Sequence, residues 1–144
     1  MRRIVLDVNV IVSGFPSLQS VPGSLVQMGL EAVFQLILSE HIIQGVQQAW
    51  RKPYFQQRFD EDRATASIHL LRQAAIIVEP EFVTGIAPDE EDDRVLGTAL
   101  AGNAEYLVTG DHGLLRLHSY RGVEIISPSE CLLMIAAGFE DSDR

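Results

Sequence analysis

Five short apolar runs constrain this chain more than any other feature: 3-RIVLDV-8, 34-FQLIL-38, 75-AIIVE-79, 106-YLVT-109 and 123-VEII-126. Each is close to continuously apolar, which predicts strands covered on both faces. Longer stretches with helical spacing separate them. One starts at Val21-Pro22-Gly23 and carries Leu25, Val26, Met28 and Leu30. Ser39 is the expected N-cap of the next, which runs to about residue 50 and stops at Pro53. Residues 60–74 place Ala64, Ile68, Leu71 and Ala75 at helical spacing. A fourth helix is expected over about 91–101, ended by Gly102-Asn103, and a helical turn over 112–117. Ser129 is the expected cap of a last helix through 137, ended by Gly138. Alternation of strand and helix dictates a parallel sheet with right-handed crossovers. The expectation is a single α/β domain over 1–138, three-layered α/β/α with a roughly five-stranded parallel sheet. Residues 139–144 are expected to form a loose polar tail.

In open parallel sheets, ligands bind beyond the carboxyl ends of the strands, where strand order reverses. Asp7 sits near the end of the first run and Asp111 just past the fourth. A carboxylate in such a place is costly unless something compensates it. A third source of acid is 89-DEEDD-93, at a helix start. Acidic residues favour helix N-termini by ~0.3–1 kcal/mol each, yet five in succession exceed what capping needs. Asp92 shares a stripe with Leu96 and Ala99, so it should point to the sheet edge. Asp93 is rotated by about 100° and is expected in solvent. Asp7, Asp92 and Asp111 are therefore candidates to meet. Close carboxylates repel and raise one another's pKa, and a hard divalent cation, magnesium or manganese, resolves the repulsion. Such an ion activates water against a phosphodiester.

A net charge of −9 argues against a polybasic nucleic-acid binder, though not against an enzyme that handles phosphates through metal ions. Arg51, Lys52, Arg58 and Arg63 gather with Tyr54, Phe55 and Phe59, as a substrate-facing patch or as a solvated helical surface. Cys131, the only cysteine, cannot form an internal disulfide and has the neighbours of a buried small apolar residue. No run approaches the ~18 apolar residues of a membrane span, and the N-terminal run is too short and polar for a signal peptide. A cytoplasmic protein with no membrane partner is expected. Phosphoryl transfer on an aspartate is disfavoured: Asp7-Val8-Asn9 lacks a second acid, and the only lysine, Lys52, lies mid-chain. His41, His69 and His118 lack zinc spacing.

Three elements together resemble the PIN domain, a metal-dependent ribonuclease fold common among toxins of toxin–antitoxin pairs. The opening 4-IVLDVNVIVS-13 is similar to the family's D-x-N-V start. The stretch 89-DEEDD-93 is similar to its D-P-x-D-N/D element, with Glu90 where proline is usual, and 107-LVTGD-111 matches its L-V-T-x-D element. Leu114-Leu115 and Ile126-Ser127-Pro128 match its closing pattern, so the likeness runs from about residue 3 to 134. By that resemblance Asp7, Asp92 and Asp111 are catalytic metal ligands for Mg2+ or Mn2+. Asn9 and Ser13 support them from the first loop, Thr109 orients the turn after the fourth strand, and Asp89 shapes the site or positions a water. The implied substrate is RNA, and the implied partners are a small antitoxin or a second copy of the chain. One departure stands out. The family usually carries a glutamate in the second helix, and here Gly45 takes its place within 39-SEHIIQGV-46. Glu40 lies five residues earlier, about 140° around the helix, and is no simple substitute. The resemblance then implies weakened catalysis, or a domain that acts by binding.

Overall fold

A computed structural model of the chain describes residues 1–139. In chain order the elements are β1 (Arg3–Leu6), α1 (Val8–Gly14), α2 (Val21–Leu30), β2 (Gln35–Leu38), α3 (Glu40–Trp50), α4 (Pro53–Gln56) and α5 (Glu61–Ala74). They continue with β3 (Ile76–Ile77), α6 (Glu90–Ala101), β4 (Tyr106–Val108), α7 (His112–Leu115), β5 (Ser119–Tyr120), β6 (Val123–Ile126) and α8 (Pro128–Ala136). The sheet order is β3-β2-β1-β4-β6-β5. All pairings are parallel except β5 with β6. The five expected strands are the five parallel ones, and the architecture is the expected three-layer α/β/α fold.

Chain direction across the sheet explains the layers. Connections from β1 to β2 to β3 step one way, and those from β3 to β4 to β6 step the other. Right-handed crossovers then put α6 on the opposite face from the helices of the first half. There α6 packs on β1, β2 and β4, while α2 packs on α1 and α8. Strand order reverses between β1 and β4, which are direct neighbours in register Leu6 to Val108. Their side chains Ile4, Val5, Leu6, Leu107 and Val108 are fully buried and form the centre of the core.

Several expectations need correction. The first run does not continue as strand to residue 8. Asp7 caps α1, accepting from Val8 N, and the β-branched run that follows is helical. Apart from Asp7 and Asn9 the stretch from Ile4 to Val12 is apolar, so its periodicity carried no sign of the change. β3 is only partly covered, with Ile76 39% and Ile77 40% exposed, because it is a two-residue edge strand. A sixth strand, β5, forms an antiparallel hairpin with β6 through Arg121 (φ 48°) and Gly122 (φ 88°). Positive φ at both turn residues is the twist-matched two-residue hairpin geometry, for which Gly122 was the sequence signal. The last helix is capped by Ser127, not Ser129, through a reciprocal box with Glu130. Phe139 is not loose: its ring lies 5.8 Å from that of Tyr106 and 5.2 Å from the Arg2 guanidinium. The rest of the expected tail, 140–144, lies outside the described residues.

Among the described residues no helix is long and apolar enough to cross a membrane. Cys131 is buried as expected, and burial pushes its thiol up to about 12, so it is unreactive in the folded chain.

Candidate active site

The corner after β1 and the corner after β4 are one hydrogen-bonded unit. Asp7 Oδ1 accepts from Val8 N at 2.7 Å. Asp7 Oδ2 accepts from Thr109 Oγ1 at 2.8 Å and from Asn9 Nδ2 at 3.3 Å. Thr109 is fully buried, and its hydroxyl also accepts from Asp111 N at 3.0 Å. Asn9 Oδ1 accepts from Gly110 N at 2.9 Å, closing the link between the two corners. Asp111 caps α7, taking Leu114 N at 3.0 Å on Oδ2. The β1–β4 pairing fixes where these groups stand, since Asp7 N donates to Val108 O across it.

Asp92 completes the acidic corner from α6. It is half-buried on the stripe of Leu96 and Ala99, as expected, and shares a hydrogen bond with Asp111. Burial, and then the charges of Asp111, Asp7 and Asp89, push Asp92 up to about 7. Burial also raises Asp7, against the hydrogen bonds from Thr109, Val8 and Asn9, and Asp111 adds to the rise. The three carboxylates are thus close enough to repel. Asp89 is exposed and caps α6 through Glu91 N at 3.0 Å, adding only its charge to the corner. Ser13 is exposed at the end of α1, with Asn9, Val10, Pro22, Gly110, Asp111 and Pro128 around a shallow cleft of about 300 Å³. It bonds to none of the acids.

Asp93 is the sequence prediction that fails at this corner. It is 3% exposed rather than solvated, and takes Ala87 N at 2.7 Å on Oδ1 and Gly85 N at 3.0 Å on Oδ2. It pins the segment leading into α6. Four residues on, a Cβ at Gly97 would stand 2.1 Å from Glu81 O, and Glu81 N donates to Gly97 O at 3.0 Å. A signal existed: Gly97 lies on Asp93's stripe, and a glycine inside a helix often marks close backbone approach.

Gly45 also has a structural counterpart that the sequence did not announce. A Cβ there would lie 2.9 Å from Val8 Cγ2. Val8 follows Asp7 directly, so its methyl fills the space into which a longer side chain at 45 would start. Glu40 is engaged elsewhere, in an exposed ion pair with Arg72 that holds it below the ordinary carboxylate range.

Among the described residues, no three acidic, histidine or cysteine side chains form a ready cage for a metal. Asp92 and one oxygen of Asp111 carry no backbone or Thr109 bond, and an all-oxygen, like-charged pair suits a magnesium-type ion that keeps several waters.

Two variants test this description. Thr109→Val removes the donor to Asp7 and the acceptor for Asp111 N, and about 1–3 kcal/mol of stability should be lost in chemical denaturation. Thr109→Ser should recover most of it. Asp92→Asn should stabilise the cation-free protein. Asp92 in the folded chain is pushed up to about 7, above the ordinary carboxylate range of an unfolded chain, so the folded state retains a proton that the unfolded state releases. Stability therefore falls as pH climbs between those values, and asparagine escapes the loss. At pH 8 in a chelator the variant should melt roughly 2–4 °C higher, and the gap should close near pH 4.

A model of the PIN domain family matches residues 3–113. No curated protein matches the chain.

Proposed function

This chain belongs to the PIN-domain family, a nuclease-type fold whose members typically use divalent metal ions, and we propose that it is an endoribonuclease using Mg2+ or Mn2+. The observation that carries this is the mutual repulsion of Asp7, Asp92 and Asp111 at the β1–β4 switch point. Asp92 and the Asp111 oxygen not engaged by Leu114 N would hold the ion directly, and Asp7 would act directly or through water. The ion supplies a lowered pKa for a bound water and charge neutralisation at the phosphate. The residues supply position. Thr109 and Asn9 hold Asp7 in one rotamer, and the Asn9–Gly110 bond keeps the two corners at fixed separation. Attack of water on phosphorus breaks the P–O3′ bond, leaving a 5′-phosphate and, after proton uptake, a 3′-hydroxyl. The biological role that fits is the toxin of a toxin–antitoxin pair in the cytoplasm, with a small antitoxin as protein partner or a second copy of the chain.

The test is incubation of the purified chain with mixed single-stranded and structured RNA in magnesium or manganese. Expected products carry 5′-phosphate ends and vanish with a chelator. Absence of both cleavage and manganese binding by calorimetry would overturn the proposal. A second reading, a catalytically weakened PIN domain that acts by binding, is favoured by the Gly45–Val8 contact. Manganese binding without cleavage would select it.

A further inference from the structure

We propose that the lobe formed by the end of α3, α4 and the start of α5 is a docking surface for single-stranded RNA. The inference rests on the ribonuclease reading for its substrate class, and on separate residues for its location. Residues 51–59 contain Arg51, Lys52 and Arg58 and no carboxylate, in a chain of net charge −9. All three are exposed. Among the described residues none of them, nor Arg63, forms an ion pair, although Asp60, Glu61 and Asp62 are adjacent in sequence. Asp60 Oδ1 instead caps α5 through Arg63 N at 2.8 Å. Cations left unpaired beside available acids remain open to phosphate.

The aromatic groups suit bases. Tyr54 is 60% exposed, and the Arg58 guanidinium lies 3.8 Å from its ring centroid. The Arg58 side chain is held there by a 2.8 Å bond from its guanidinium to Tyr54 O. Arg63 sits over the buried Phe59 ring at 4.6 Å, so there the exposed guanidinium is the flat face on offer. Flat cationic and aromatic surfaces of this kind stack unpaired bases with little sequence preference, whereas a duplex hides its base faces. Beside them opens a cleft of about 650 Å³, lined by Arg51, Gln47, Gln56 and Thr65 and, on the α5 side, by the carboxylates Asp60 and Glu61, so phosphates would keep to its Arg51 side.

Position links the lobe to the acidic corner. α3 passes Val8 at Gly45, and Trp50 Nε1 donates to Val12 O at 3.3 Å, so α3 and α1 run side by side away from Asp7. Arg51 stands six residues past Gly45, about 9 Å along the helix axis. The lobe thus continues from the helix that passes Val8, the neighbour of Asp7.

Binding is measured on the full chain carrying Asp7→Asn, in chelator, so that cleavage plays no part. The probe is a labelled single-stranded RNA of about ten nucleotides, compared with its duplex and with a polyglutamate peptide. The emission of Trp50, the only tryptophan, gives a second signal. Single-stranded RNA should bind at least about tenfold tighter than duplex. Arg51→Ala/Arg58→Ala should weaken it at least tenfold and reduce the slope of log K against log salt by roughly 1.4. Tyr54→Ala should weaken it about tenfold. Arg121→Ala, on the β5–β6 turn, should bind like the parent. Unchanged affinity in the lobe variants, or preference for the acidic peptide, overturns the proposal. RNA cleavage by the otherwise native chain with unchanged lobe-variant binding would sink the lobe and spare the nuclease. Binding that depends on the lobe without any cleavage would do the reverse.

Discussion

Asp7→Asn is expected to lower RNA cleavage by on the order of a thousandfold while the protein stays folded. Both halves of that expectation come from the surroundings of one side chain. Asp7 is 4% exposed, and every donor near it is aimed at a carboxylate: Val8 N, the Thr109 hydroxyl and the Asn9 amide. Asparagine keeps the shape and can still accept from Val8 N, although its amide nitrogen no longer accepts from Asn9 and the Thr109 hydroxyl must turn to accept from it. It removes the charge that burial already disfavours, so folding should lose little. Loss of charge at a preorganised electrostatic site typically costs at least 10²–10³-fold in rate. The check is a cleavage time course beside a melting curve for parent and variant. A variant that cleaves as fast as the parent would remove Asp7 from the machinery.

The second large effect concerns an acid the chain does not have. Gly45→Glu alone should destabilise by about 1–3 kcal/mol, because its Cβ would collide with Val8 and overpacked contacts cost that much. The intrinsic preference of helices against glycine, ~1 kcal/mol, offsets part of this. Val8→Ala/Gly45→Glu clears the methyl and should recover stability. If the corner is short of one ligand, the double variant should bind manganese at least roughly tenfold tighter and cleave faster, since carboxylate count sets affinity at such sites. Calorimetry and the same cleavage time course decide it. Equal manganese affinity in both proteins would show that residue 45 has no connection to the ion.

The parallel sheet was legible because buried strands carry their own signature, an unbroken apolar run between helical stretches. The same signature misled at Asp7-Val8, where the strand was expected to run on and the valines and isoleucine that follow suit strand and buried helix alike. The positions of Asp7, Asp92 and Asp111 followed from strand ends and one helix stripe, both of which are geometric consequences of local sequence. Asp93 did not follow. Its burial depends on a segment, 81–87, with no regular structure to extrapolate, and only Gly97 hinted that backbone passes there. Val8 against Gly45 was equally hidden, because contact between α1 and α3 is set by packing across the fold and not by either helix alone.

The Arg121-Gly122 turn opens onto β6 at that strand's amino end, whereas the acids gather at the carboxyl ends of β1 and β4. A fluorophore or affinity handle grafted there would sit on the far rim of the sheet. It would leave both the cleavage corner and the basic lobe unobstructed, which makes this hairpin the natural attachment point for single-molecule work on the protein.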